Sequence, residues 1–312
     1  MRRELPTDLA EGVQAALDAR AGRHSPLSHV SPVGGGCIHN AYRIETEAGD
    51  VAFLKWSPRG SVPPGVFRAE VAGLRALGAT GALRVPAVID VFDPADASDG
   101  ESRPTAWLLL EWLEPGRAGT DTWARLGRGL ATLHRTRAGR WGAEDGNFIG
   151  PLPQPNGWFD DWATFWRERR LAPQLRLAYD AGHFGPSERR RFDRLLDTLD
   201  DVLAGAEADG PSLLHGDLWS GNVHVMAGGE PALLDPAAYH GHREVDLAMT
   251  ELFGGLEPAF FHAYEEAWPL QPGYRPRRRA AYQLYYLLVH VNLFGAGYVG
   301  ATLRTLAQAL GG

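Results

Sequence analysis

Apolar residues return every three to four positions over 9–21, 67–77, 122–135, 159–179, 187–203, 258–268 and 277–294, a spacing that predicts helices with one buried face. Shorter apolar runs at 29–33, 41–46, 51–56, 85–92 and 107–110 have the length and β-branched or aromatic content of strands. Strands crowd the first third of the chain, with one helix inserted at 67–77, and helices dominate the rest. The expectation is an α+β chain: a small antiparallel-sheet lobe with one helix over 1–112, then a larger, mainly helical lobe over 113–312, with the boundary near Trp112. One island, 213–235, breaks the helical half with two apolar runs that end in polar or charged residues. Chemistry is expected there. No internal repeat is visible, and 93–104 reads as a polar loop.

At 312 residues and 44% hydrophobic content, the chain can bury a sizeable core in two units. Its net charge of −7 leaves no broad basic surface, which argues against a nucleic-acid partner. The start, from Met1 to Asp8, has no apolar core of a signal peptide, so a cytoplasmic protein is expected. The most apolar stretch, 282–301, is interrupted by His290, Asn292, Gly295, Gly297 and Gly300. It falls short of the roughly 18 apolar residues of a membrane span and reads as a buried helix, with no membrane partner. A single cysteine, Cys37, cannot form an internal disulfide, as suits a reducing compartment. Among 31 basic residues one is a lysine, Lys55, which suggests a site where a compact ammonium does what a guanidinium fork cannot.

In His215-Gly216-Asp217-Leu218-Trp219-Ser220-Gly221-Asn222 an Asp and an Asn stand five apart, the spacing of a kinase catalytic loop. There the Asp accepts the proton of a substrate hydroxyl and the Asn holds magnesium. Asp235, ending an apolar run thirteen residues beyond Asn222, stands where the second metal-binding Asp of such a site would stand, with Pro236 after it. Phosphoryl transfer needs in-line positioning and cations spread over the phosphates, and the hard oxygens of Asn222 and Asp235 suit Mg²⁺ beside ATP. The competing reading makes Asp217 and Asn222 turn and cap residues.

Lys55 ends a strand, as does the kinase lysine that meets the α- and β-phosphates, and Glu70 on the next helix is its expected partner. Gly34, Gly35 and Gly36 lie between two strands, where backbone N–H groups could approach phosphate oxygens; an ordinary hairpin is the alternative. Cys37 in that loop is a candidate redox handle that could link two chains, leaving monomer and homodimer both open. Glu111, Trp112 and Leu113 fall at the lobe junction, where kinases bind adenine through backbone groups. Trp158, Phe159, Trp162, Phe165 and Trp166 read as core, and Arg277 to Arg279 as a solvated helical face. Only ten residues separate Asp235 from Asp246, too few for a segment on which a peptide substrate docks.

These motifs resemble the fructosamine (ketosamine) kinase family, relatives of aminoglycoside phosphotransferases and choline kinases within the protein-kinase-like bilobal fold. The likeness covers nearly the whole chain, including Asn147-Phe148-Ile149-Gly150, Arg170-Leu171-Ala172-Pro173-Gln174, Gly241 to Met249 and Asn292-Leu293-Phe294-Gly295. It implies ATP-dependent phosphorylation of a sugar hydroxyl on a small-molecule ketoamine or glycated amine, a deglycation step, with Asp217 as base. It further implies that Asp246 supports the catalytic loop and that Trp219 contacts the sugar. His215 has two readings, a brace for the loop or a general base and second substrate contact. The bulky Glu111-Trp112-Leu113 hinge departs from the family pattern. Two other functions remain open at this point: an aminoglycoside- or choline-type phosphotransferase, and a silent nucleotide-binding module.

Overall fold

The computed structural model describes residues 5–34, 39–58, 60–93 and 105–311. Its first part comprises α1 (Thr7–Ala21), β1 (Leu27–Pro32), β2 (Asn40–Thr46), β3 (Val51–Ser57), α2 (Val66–Ala79), β4 (Val88–Phe92) and β5 (Ala106–Glu111). The five strands form one antiparallel sheet in the order β1-β2-β3-β5-β4. β5 is apolar without alternation because both of its faces are covered. Trp107 and Leu109 pack with Leu9, Val13 and Leu17 of α1. Leu108 and Leu110 face the other way and join Phe67, Val71 and Leu74 of α2 in the main core.

The rest is mainly helical. Its helices are α3 (Thr122–His134), α4 (Trp162–Phe165), α5 (Ala172–Asp180), α6 (Pro186–Asp197), α7 (Leu199–Val202), α8 (Glu244–Phe253), α9 (Pro258–Ala267), α10 (Arg279–Phe294) and α11 (Val299–Ala309). α10 runs through the core, with Ala280 to Val289 and Val291 buried. The helical run Tyr274–Ala309 is long and apolar enough to cross a membrane. It breaks at Gly295, where φ is 81°, and its first half is this core helix.

Three readings of the sequence change. The region after residue 116 holds eight short strands: β6 (Trp141–Ala143), β7 (Asn147–Ile149), β8 (Leu152–Gln154), β9 (Gly157–Phe159), β10 (Ser212–Leu214), β11 (Val223–Val225), β12 (Pro231–Leu233) and β13 (Tyr239–Gly241). The helix expected from 159 starts instead at Trp162, where the Asp161 carboxylate accepts the Thr164 N–H at 2.6 Å, because Phe159 pairs with Trp141 in a strand. That helix widens into a π turn over Trp166–Leu171, which seats the buried Arg170 guanidinium 3.9 Å from the centre of the Tyr239 ring. Finally, Arg278 is not on a solvated face: it is buried and grips Glu244 with two hydrogen bonds of 2.7 and 2.8 Å.

Candidate active site

The loop after β10 is fixed from beneath. Asp246, in the first turn of α8, accepts the backbone N–H groups of His215 (2.7 Å) and Gly216 (2.9 Å), and its Oδ2 lies 3.2 Å from His134 Nε2. The Tyr286 hydroxyl of α10 donates to the Gly216 carbonyl at 2.8 Å. Gly216 has φ of 83°, and an added Cβ would stand 2.1 Å from the Ala237 carbonyl oxygen, so both conformation and space demand glycine. His215 is fully buried; its Nε2 donates to the Leu234 carbonyl (2.8 Å) and its Nδ1 accepts the Asp217 N–H (3.2 Å). With both nitrogens engaged inside the protein, this ring braces the loop and does not reach a substrate.

Asp217 and Asn222 meet at the loop's two ends: Asn222 Nδ2 donates to the Asp217 carbonyl at 2.8 Å and to its Oδ2 at 3.3 Å. The Leu234 N–H donates to the Asn222 carbonyl at 2.9 Å, which brings Asp235 beside them after the β11–β12 hairpin. Asp235 has φ of 54°, alone among the described non-glycine residues in lying at positive φ. Asp tolerates that region better than most, and the twist turns its carboxylate toward the small lobe. There Lys55 Nζ is buried between Glu70 Oε2 at 2.8 Å and Asp235 Oδ1 at 2.9 Å. Gly73 lets α2 rest directly on the next residue, since a Cβ there would lie 3.0 Å from Pro236 Cγ.

The charges are strongly coupled. Burial would lower the Lys55 pKa, but Asp235 and Glu70 outweigh it and the ammonium is held more firmly than usual. Asp235, whose side chain opens on the cleft, is kept low by Lys55, which outweighs what burial it has. Glu70 goes up, through burial and then the neighbouring Asp235 charge, against the pull of Lys55. Among the described residues no cation touches Asp217; burial first, and Asp235 second, push it up to about 7.

These groups line one cleft of about 390 Å³. Gly34, Lys55 and Glu70 face it from the small lobe, Asp217, Trp219, Asn222 and Asp235 from the large lobe, and Glu111, Trp112 and Leu113 from the junction. At the junction the Glu111 carboxylate is taken by Arg84 and by the Ala87 N–H (3.0 Å), and the Leu113 carbonyl accepts from His224 Nε2 (3.0 Å). Trp112 bonds Glu114 through its indole N–H at 2.8 Å, with the Arg43 guanidinium 5.3 Å from its ring centre. Gly35, Gly36 and Cys37 lie outside the described residues.

The sequence placed His39 at the end of the glycine loop without a role of its own and did not mark the β7–β8 hairpin as part of the site. His39 lines the cleft with Nδ1 2.6 Å from Ser57 Oγ, and burial, then Lys55, lowers its pKa to about 4, so its ring is neutral. Asn147, Phe148 and Gly150 close the side of the cleft, and Asn147 donates to the Ala238 carbonyl at 2.9 Å. A second cluster, Asp209, His242 and Glu244, has the proximity of metal ligands. Its carboxylates are already neutralised, Asp209 by Arg243 Nε at 2.8 Å and Glu244 by Arg278, so it is an internal ion-pair network.

A lysine pinned by a helix glutamate, across from paired Asp and Asn on a braced loop, defines the class: a protein-kinase-like phosphotransferase. The family model described as fructosamine kinase matches residues 9–311, and the chain belongs to that family. It is 42% identical over 284 residues, 89% of each chain, to a "probable ketoamine kinase" of Synechocystis sp.. To the chloroplastic protein-ribulosamine 3-kinase of Oryza sativa subsp. indica it is 38% identical over 296 residues, 93% of this chain and 81% of that one. A crystal structure of a "putative fructosamine-3-kinase" from Thermobifida fusca superposes with a TM-score of 0.83 at 35% identity, covering 96% of this chain and 98% of the other.

Proposed function

We propose that the protein transfers the γ-phosphoryl group of ATP to a sugar hydroxyl of a ketosamine, a free or protein-linked adduct of a sugar and an amine. The observation that carries this is Asp217, a carboxylate that no cation touches among the described residues, facing the cleft beside Asn222 and opposite the Lys55–Asp235 pair. Asp217 is the base: it accepts the proton of the attacking hydroxyl, and its raised pKa gives it the affinity to hold that proton. Lys55, fixed by Glu70, meets the phosphates of the nucleotide, whose base lies toward residues 111–113. Trp219, which lines the cleft, contacts the sugar.

The donor set fits Mg²⁺. Asn222 spends its amide N–H on Asp217, leaving Oδ1 as a ligand, and the Asp235 side chain is 46% exposed in the cleft with Oδ2 unclaimed by Lys55. Bound there, the ion would neutralise charge on the transferring phosphates. A cytoplasmic location accords with this need for ATP.

The test is magnesium-dependent ATP turnover by the purified protein with fructose and ribulose adducts of simple amines. The expected result is phosphorylation of one or more adducts and none of choline or an aminoglycoside. Turnover of those alcohols alone would replace the proposal with the second class.

A further inference from the structure

The side-chain acceptors of the lobe junction are already engaged. The Glu111 carboxylate holds the Arg84 guanidinium and accepts the Ala87 N–H, and the Glu114 carboxylate accepts the Trp112 indole N–H. A backbone acceptor is engaged as well: the Leu113 carbonyl takes the Nε2–H of His224 at 3.0 Å. A carbonyl can only accept, so the proton is on Nε2. Leu113 and His224 both line the cleft, so the imidazole meets this oxygen at the wall of the site, and a second donor would have to share it with the ring.

The junction is not free to shift and present that oxygen elsewhere. The Gly116 N–H donates to the Val225 carbonyl and the Ala227 N–H to the Glu114 carbonyl, each at 2.8 Å. A Cβ at Gly116 would stand 2.1 Å from the Met226 carbonyl oxygen, so the two backbones touch. The strand that carries His224 is itself paired, with His224 opposite Ala232 of β12. Ring and carbonyl are therefore held in register by the backbone on both sides.

The two purines ask different things of such a junction. Adenine presents one amino donor beside the N1 acceptor, and is satisfied by one acceptor and one donor. Guanine presents the O6 acceptor beside two adjacent donors, N1–H and the 2-amino group, and needs two acceptors. A base whose donors are desolvated without finding acceptors loses affinity.

We infer that His224 is a specificity-determining residue that makes the site select adenine over guanine nucleotides, by withholding the Leu113 carbonyl from the base. The device acts against the wrong nucleotide through a hydrogen bond made inside the protein. It rests on the reading above that the base lies toward residues 111–113.

Isothermal titration of the purified protein with ATP, GTP and inosine triphosphate, each with Mg²⁺, tests it. Wild type is expected to bind ATP at least about 100-fold more tightly than GTP. His224→Leu keeps an apolar side chain and removes the donor, and should narrow that preference about ten-fold by tightening GTP, the worth of one hydrogen bond regained. His224→Gln, whose amide N–H can reach the same carbonyl, should keep the wild-type ratio; a residue that only filled space would not separate the two variants. Inosine triphosphate lacks the 2-amino group, so a gain for both it and GTP assigns the freed carbonyl to N1–H, and a gain for GTP alone assigns it to the 2-amino group. A wild type that binds GTP as tightly as ATP overturns the inference, as does a ratio that is unchanged in His224→Leu or narrows only because ATP weakens. If His224→Leu narrows the ratio while no ketosamine is phosphorylated, the acceptor reading falls and the role of His224 stands; if neither nucleotide binds, both fall.

Discussion

Replacing Asp217 by asparagine should stabilise the protein while disabling it, and the effect should depend on pH in one direction only. The Asp217 carboxyl moves from an ordinary 3.8 up to about 7, through burial and then Asp235. That interval corresponds to a ceiling of about 4 kcal/mol. Asp217 is only half-buried and opens on the cleft, where water screens much of it, so about 1–2 kcal/mol is expected to be felt. The group binds its proton more tightly folded than unfolded. Native stability therefore falls as pH rises from about 4, where the unfolded carboxyl begins to ionise, and the loss is complete above about 7. Asparagine has no proton to lose. The margin by which Asp217→Asn exceeds wild type in denaturant unfolding should thus widen by about 1 kcal/mol between pH 4 and pH 8, as phosphoryl transfer drops by about 10²–10⁴-fold. A margin that stays constant or narrows would refute the assignment of a strained, proton-hungry carboxylate.

Two further substitutions probe the scaffold of the site. Lys55→Arg must fit a wider planar group between Glu70 and Asp235, now 2.8 and 2.9 Å from a compact ammonium, and should cost more than about 10-fold in kcat/KM for ATP; a few-fold change would make the lone lysine incidental. Asp246→Ala orphans the N–H groups of His215 and Gly216 and the partner of His134, and should lower stability by about 3–5 kcal/mol; thermal unfolding that shows a loss under about 1 kcal/mol would deny the loop its support.

The residues that the structure gathers at the cleft, Lys55, Glu70, Asp217, Asn222 and Asp235, were legible because phosphoryl transfer dictates their types and the loop dictates their spacing. The sheet of the small lobe was legible for a different reason, since its strands are five to seven residues long and apolar. Strands of three residues in the large lobe, such as Trp141–Ala143 and Tyr239–Gly241, are too short to show any period. Arg278 was misread because a run of three arginines looks uniformly polar, whereas successive helical residues point about 100° apart and its partner Glu244 is 34 positions away. The Asn147–Gly150 hairpin belongs to the cleft only through tertiary packing, which no local pattern records.

Protein kinases are commonly regulated by swinging the helix that carries the lysine's glutamate partner. In this chain Gly73 seats that helix on Pro236, so the glutamate and the aspartate that share one ammonium are spaced by a backbone-level contact. That contact limits how closely the helix can approach the catalytic lobe. A larger side chain at Gly73 would lift the helix off Pro236 and stretch both contacts to the shared ammonium, which makes this small residue the spacer of the ion pairs.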